Sequence, residues 1–213
     1  MNRGIVLATA IAALAALWLA MMVSGTGTLD RAALAWLYAS HQPALRDFMR
    51  YFTLLGNWQA VVGVSLTAAI WLLATGHRRA ALLLFGITLV GRALVEAMKL
   101  GVYRSRPDAT DHLVEVYSLS FPSAHAANSM ILWLTIALLL PQRQWRPAAV
   151  ATALLISFAV GISRPMLGVH WPSDVIGGWA FGAAWVLVMI DLAGRWPAPK
   201  RPPGESEAFI AKR

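Results

Sequence analysis

The sequence predicts an all-α fold: a polytopic membrane bundle of six transmembrane helices in one domain. Three observations predict it. The apolar fraction is 58% and the charged fraction 13%, about half the charged share usual in soluble domains. Mean hydropathy is +0.59. The apolar residues also fall in six runs that approach the width of a bilayer, joined by polar connections. With 213 residues, six spans leave no room for a separate soluble catalytic module, so any chemistry must be built from span ends and loops. Cysteine is absent, which excludes disulfides and thiolate metal sites.

The first span is expected over residues 4–23, after Arg3. A cleaved signal peptide is the rival reading. The run is longer than a usual signal core, however, and Val23-Ser24-Gly25-Thr26-Gly27 makes a poor cleavage site. Residues 29–55 differ in pattern. Asp30 is placed to cap a short helix carrying Leu34, Trp36, Leu37 and Tyr38, which Pro43 separates from a second helix. That second helix spaces Leu45, Phe48, Met49 and Phe52 at helical intervals with Arg46, Asp47 and Arg50 between them. This is the pattern of amphipathic helices lying in the membrane interface between spans one and two; an ordinary connector is the plainer alternative.

Spans two and three are expected over 58–75 and 80–98, joined by the basic turn Gly76-His77-Arg78-Arg79. Arg92 and Glu96 lie four residues apart on one helical face, a spacing that allows pairing behind Lys99. Residues 99–122 form the longest polar connection. Spans four, five and six follow over about 123–140, 147–163 and 172–192. The membrane domain is therefore 1–194, and residues 195–213, rich in proline and charge, read as a mobile tail.

A formal charge of +8 raises nucleic acid as a partner, but the basic residues fall mainly in short loops and the tail, as membrane topology requires. Anionic lipid head groups fit better. One side holds Arg3, Arg78, Arg79, Arg143, Arg146, Arg195, Lys200, Arg201, Lys212 and Arg213. The other holds Arg31, Arg46, Arg50, Lys99, Arg104, Arg106 and Arg164. Setting aside Lys99, Arg106 and Arg164, which belong to polar clusters, the bias is ten to four. The termini are then cytoplasmic, and the clusters face the periplasm or cell exterior.

Those clusters are Lys99 to Pro107, Pro122 to His125 and Ser163 to Asp174. Two arginines and a lysine converging at the end of a bundle suit a tetrahedral oxyanion, since arginine forks match phosphate oxygens and lysine adds a point charge. Pro107 and Pro165 follow Arg106 and Arg164, so each arginine is expected at a helix break. Ser123 reads as an N-cap with His125 in the first turn, where free amides favour an anion. Pro172 fits the first helical position of the last span and leaves His170 on the turn before it. Asp174 is placed to bond the far imidazole nitrogen and fix its tautomer. Singly, each residue also reads as an interfacial anchor or a helix-start acid; three matched segments on one face are hard to obtain that way.

The set resembles the three-part signature of the type 2 phosphatidic acid phosphatase (PAP2) superfamily, which includes bacterial lipid phosphatases and vanadium haloperoxidases. The first part, lysine, six residues and Arg-Pro, is Lys99 through Arg106-Pro107; the second, usually Pro-Ser-Gly-His, is Pro122-Ser123-Ala124-His125. The third runs from Ser163-Arg164 through His170 to Asp174. Ala124 in place of glycine is the one departure. The resemblance implies a PAP2/haloperoxidase-like helical core in which Lys99, Arg106, Ser123 and Arg164 bind phosphate. It implies further that His170 attacks phosphorus to give a phosphohistidine, Asp174 orients it and His125 moves the leaving-group proton. It implies no metal and no cofactor. The soluble, vanadate-binding haloperoxidase branch fits poorly.

The expected activity is hydrolysis of a membrane lipid phosphomonoester or diphosphate, of the undecaprenyl diphosphate, phosphatidylglycerophosphate, phosphatidic acid or lipid A type. Phosphotransfer to a second lipid is the alternative, and a non-catalytic binder or transporter of anionic lipids the third. Nothing in the sequence chooses among the lipids or fixes the oligomeric state.

Overall fold

A computed structural model describes residues 2–108 and 110–195 of the chain. The expected mobile tail lies outside the described residues except for Arg195, which ends the last helix. Among the described residues all regular structure is helical: α1 (Arg3–Ser24), α2 (Thr28–Leu37), α3 (Pro43–Thr53), α4 (Trp58–Ala74), α5 (Arg78–Val102), α6 (Ala124–Leu139), α7 (Arg146–Met166) and α8 (Pro172–Arg195). Single 3-10 turns at Leu54–Gly56 and Arg143–Trp145 precede α4 and α7.

Each expected span has its helix. Four segments are long and apolar enough to cross a bilayer: Arg3–Ser24, Arg78–Val102, Arg143–Met166 and Pro172–Gly194. A fifth crossing is reached if Pro43–Gly56 and Trp58–Ala74, bent by 50° at their junction, count as one broken span. Helix α6 is apolar but has 16 residues, about 24 Å at 1.5 Å per residue.

Position in the bundle explains these helices. Helix α6 packs against α5, α7 and α8, and its residues from Ala126 to Leu132 are all buried. A helix enclosed on every side has no use for a charged, solvated face, hence its lack of Asp, Glu, Lys and Arg and its run of apolar residues broken only by His125, Asn128, Ser129 and Thr135. Gly178 and Gly182, one turn apart on α8, lie so close to the Ser123 and Ala127 carbonyls that a Cβ would meet those oxygens at 2.8 and 2.9 Å. Small residues at such crossings let helices approach where water provides no hydrophobic drive. Helix α1 stands outermost against α8 with no buried residue. Leu66, Ile70, Leu82, Phe85 and Leu89 leave large apolar side chains exposed along α4 and α5, far more than a soluble surface carries.

Four details differ from the sequence reading. Helix α5 runs a turn further than expected, so Lys99 sits on the helix, which closes at Tyr103 in the left-handed region (φ 52°). Arg164 is inside the last turn of α7, because Pro165 lies one residue before that helix ends and disrupts little of it. Asp30 does not cap α2; it lies in that helix's first turn and accepts from the Ser173 amide at 2.9 Å, so it caps α8 instead. Arg92 and Glu96 form no ion pair among the described residues.

The long connection 103–123 is fastened over the ends of the helices. Tyr38 Oη donates to the Asp111 carbonyl at 2.8 Å, and Arg50 donates through Nε and Nη2 to the Leu113 carbonyl at 3.0 and 2.7 Å. The Leu113 amide donates to the Leu167 carbonyl at 3.0 Å, and Trp171 Nε1 to the Ser105 carbonyl at 3.1 Å. The connection is thereby held across α2, α3 and α7, and it carries Arg106 to the mouth of the bundle.

Candidate active site

Lys99, Arg106, His125, Arg164 and His170, which come from three separate stretches of sequence, line one cavity of about 410 Å³. A second cavity, of about 660 Å³, adjoins it and shares His125, Arg164, Asn57 and Glu115. The cations are anchored by neutral acceptors. Lys99 Nζ donates to the Leu119 carbonyl at 2.5 Å. Arg106 donates through Nε to the Ser118 carbonyl at 2.7 Å and through Nη1 to the Val169 carbonyl at 2.5 Å. Arg164 Nη1 donates to Thr53 Oγ1 at 2.7 Å, while its Nε is buried without a partner. Three cationic side chains thus border one space with no carboxylate bonded directly to them. Burial pulls the Arg106 guanidinium down to about 10, against an opposing pull from Asp174.

His170 is 1% exposed. Its Nδ1 lies 3.2 Å from Asp174 Oδ2 and its Nε2 lies 3.1 Å from Arg106 Nη1. A guanidinium only donates and an ionised carboxylate only accepts, so Nδ1 carries the proton and Nε2 the lone pair. Burial, then Arg106, Lys99 and Arg164, hold this imidazole well below its ordinary range, which keeps it neutral. Four residues beyond His170, Asp174 is fully buried and bonded on both oxygens. Oδ2 also accepts from Ser120 Oγ at 2.5 Å and from the Trp171 amide at 2.9 Å. Oδ1 takes an ion pair from Arg104 Nη1 at 2.9 Å.

Arg104 is bonded through both terminal nitrogens. It also donates to Ser173 Oγ at 3.1 Å and to the carbonyls of Met21 and Met22 at 3.0 and 2.6 Å, and its guanidinium lies 4.4 Å from the centre of the Phe121 ring. Ser173 Oγ in turn donates to Asp30 Oδ2 at 2.5 Å. A chain of charged and hydroxyl groups therefore joins α2 to His170 through Asp30, Ser173, Arg104 and Asp174.

His125 is held differently. It lies in the first turn of α6, and its Nε2 is 2.7 Å from Asn57 Oδ1. An amide oxygen only accepts, so here Nε2 carries the proton. Asn57 is the N-cap of α4, at the 50° bend that follows Leu54–Gly56. Ser123 is the N-cap of α6, yet its side chain makes no capping bond and its Oγ is buried without a partner.

The structure thus brings together Lys99, Arg106, His125, Arg164 and His170 around one cavity, with Asp174 behind His170. The Ser123 backbone amide donates to the Asp174 carbonyl at 3.0 Å, so Ser123 joins the cluster through its neighbours. Arg104, Ser120, Asn57, Thr53 and Asp30 were not singled out as site residues. Arg104, two residues before Arg106, looks like one more loop charge, and only burial against Asp174 distinguishes it. Asn57 carried a detectable signal: a polar N-cap at the start of an apolar run, on the side where the clusters gather.

The PAP2 superfamily model matches residues 79–197. Phosphatidylglycerophosphatase B of Bacillus subtilis (strain 168) is 37% identical over 106 residues, 47% of this chain and 50% of the relative. Lipid A 1-phosphatase of Rhizobium johnstonii is 32% identical over 139 residues, 55% of this chain and 54% of the relative. Decaprenylphosphoryl-5-phosphoribose phosphatase of Mycobacterium tuberculosis is 34% identical over 137 residues, 62% of this chain and 72% of the relative. The chain spans about half the length of the first two of these relatives. Among solved structures, the crystal structure of a transmembrane PAP2 type phosphatidylglycerolphosphate phosphatase from Bacillus subtilis aligns with a TM-score of 0.82 at 25% identity, over 89% of this chain and 98% of that one. The crystal structure of Aquifex aeolicus LpxE aligns with a TM-score of 0.64 at 20% identity, over 79% of this chain and 99% of that one. With the three motif segments converging on one cavity and a family match over more than half its length, the chain is an integral membrane protein belonging to the PAP2 superfamily.

Proposed function

We propose that the protein is a lipid phosphatase that removes a terminal phosphoryl group from a membrane lipid through a phosphohistidine intermediate. One observation carries the reading: His170 Nε2 presents a lone pair to the Arg106 guanidinium inside a cavity that Lys99, Arg164, Arg92 and a second histidine also line. In this reading Lys99, Arg106 and Arg164 bind the phosphoryl oxygens, and fixed cations stabilise the charge that spreads over them in the transition state. Of the five buried side-chain atoms without partners among the described residues, two belong to the motif residues, Arg164 Nε and Ser123 Oγ, and they support the same reading, because a bound oxyanion would supply acceptors.

Nε2 of His170 attacks phosphorus as the bond to the lipid oxygen breaks, and His125, protonated on both ring nitrogens when substrate is bound, gives its Nε2 proton to that oxygen and is left neutral. The leaving alcohol, or lipid monophosphate, departs. Water then enters, His125 takes a proton from it, and the oxygen displaces His170 to release inorganic phosphate. Asp174 holds the proton on Nδ1 and balances the positive charge on the ring during attack.

We place the site at the outer face of a bacterial inner membrane with both termini cytoplasmic and six helices spanning. In this arrangement α4 and α6 cross with the other four, while α2 and α3 lie in the interface. The burial of Arg104 supports this orientation. Without Lys99, Arg104, Arg106 and Arg164, only Arg31, Arg46 and Arg50 remain as ordinary outer charges against ten on the other side.

The test is phosphate release by the purified protein in detergent from phosphatidic acid, phosphatidylglycerophosphate, lipid A and a polyprenyl diphosphate. Wild type should release phosphate from at least one, and acid-labile phosphate should be trapped on His170 after rapid quench. Labelled product lipid with little free phosphate would instead indicate transfer. Turnover retained in His170→Ala would sink the mechanism.

A further inference from the structure

Arg92 has no part in the chemistry above. It lies on α5 seven residues before Lys99, hence on the same helical face and about 10 Å along the axis toward the middle of the helix. It lines the 410 Å³ cavity together with the cations and His170. It also lines an adjoining apolar groove between α4 and α5, walled by Val61, Val62, Leu66, Phe85 and Leu89. Arg92 therefore marks the point where polar cavity gives way to apolar groove. Trp58 and Gln59, at the start of α4, line the same cavity.

An arginine well inside a membrane-crossing helix is costly unless an anion or water meets it. Arg92 makes no hydrogen bond or ion pair among the described residues, and Glu96, four residues on, is exposed and leaves it unpaired. The residue is half-buried and lines a cavity rather than meeting a partner side chain. Glu96 and Glu115 also line that cavity but are exposed, so solvent weakens their claim on the guanidinium. A lipid held with its terminal phosphoryl at His170 and its tail in the groove would pass Arg92 with the part that joins the two.

We infer that Arg92 binds a second phosphoryl group, the one between the scissile phosphate and the tail, and so selects lipids that carry two phosphoryl groups in line. The inference rests on the lipid-phosphatase reading and names the substrate class of that same site. A guanidinium matches such an oxyanion in geometry and charge. Two chemistries supply one: the inner phosphate of a polyprenyl diphosphate, and the phosphodiester of a glycerolipid whose head group ends in a phosphomonoester. Phosphatidic acid, with a single phosphate, supplies none.

The experiment compares kcat/KM for three lipids in matched detergent micelles: a polyprenyl diphosphate, phosphatidylglycerophosphate and phosphatidic acid. Wild type should favour at least one two-phosphoryl lipid over phosphatidic acid, and Arg92→Gln should reduce that ratio tenfold or more. Arg92→Lys, which keeps the charge without the fork, should fall between them. The arm that loses its advantage identifies which inner phosphate is bound. A ratio unchanged within twofold in Arg92→Gln would overturn the inference even if overall activity falls, since a structural defect lowers all three lipids together. Wild type that releases phosphate from none of them overturns the underlying function instead.

Discussion

The two histidines of the cavity are built on opposite principles. His170 is completely enclosed, and its Nδ1 is backed by an acid that is itself bonded by Arg104, Ser120 and the Trp171 amide. His125 has one side-chain partner, the amide of Asn57, at a bend between helices. The Nε2 atoms have opposite roles as well: that of His170 offers a lone pair, and that of His125 carries a proton. A nucleophile gains from being immobile and neutral, since misplacement of the reacting atom is expensive. A proton carrier must release its resting partner and turn to the leaving oxygen, so a single replaceable bond serves it better.

The His170 side should show the largest effects. His170→Ala removes the attacking atom and should lower turnover about a thousandfold or more, read as phosphate release from micellar lipid. Asp174→Asn keeps the shape but loses the charge that fixes the tautomer, and the corresponding change in a Ser-His-Asp triad costs about 10⁴-fold. That variant also leaves the buried Arg104 without its counter-charge, at a cost of about 3–5 kcal/mol in stability, so its rate should be compared at temperatures below its own unfolding midpoint. Equal activity of Asp174→Asn and wild type would show that the backing acid is ornamental.

Arg104 tests how far that rigidity reaches. It touches no part of the cavity and acts only through Asp174 and Ser173. Arg104→Gln should lower kcat about ten- to a hundredfold with KM little changed, because phosphate binding stays with the other cations. Its distinguishing mark is pH. In wild type, burial and the surrounding cations hold His170 well below 6.5, so the neutral nucleophile survives as pH falls through 6.5 and the acid limb of kcat/KM lies below that value. A buried acid without its cation takes up a proton sooner, so Arg104→Gln should move the acid limb to higher pH, with Arg104→Lys restoring part of the shift. A rate loss with an unmoved limb would mean that Arg104 only braces the fold.

The six apolar runs, the three motif segments and the proline-led start of α8 were legible because each is a local pattern. The backing of Asp174 was not. Asp30, Arg104 and Ser173 are separated by up to 143 residues, and in sequence each has an adequate local account: a helix-start acid, a loop charge, a residue after proline. Their shared role exists only once α2, the 103–123 connection and α8 meet. The expected pairing of Arg92 with Glu96 failed for a related reason. Helical spacing permits such a pair, but the cavity beside α5 gives the arginine another place to turn.

Asn57 should give the smallest effect and the most selective one. Its Oδ1 holds the His125 proton at 2.7 Å, and the leaving oxygen competes for that same proton during P–O cleavage. Removing it in Asn57→Ala frees the imidazole to sample other orientations, a cost of about one net hydrogen bond, near 1 kcal/mol. The fall in kcat should thus be about fivefold. General acid assistance matters more as the leaving group becomes more basic. The variant should therefore lose more against an alkyl phosphate than against an aryl phosphate, whose leaving oxygen departs without protonation. A loss equal for both leaving groups would assign Asn57 to holding α4 in place; a loss confined to the alkyl ester would tie it to the proton on His125.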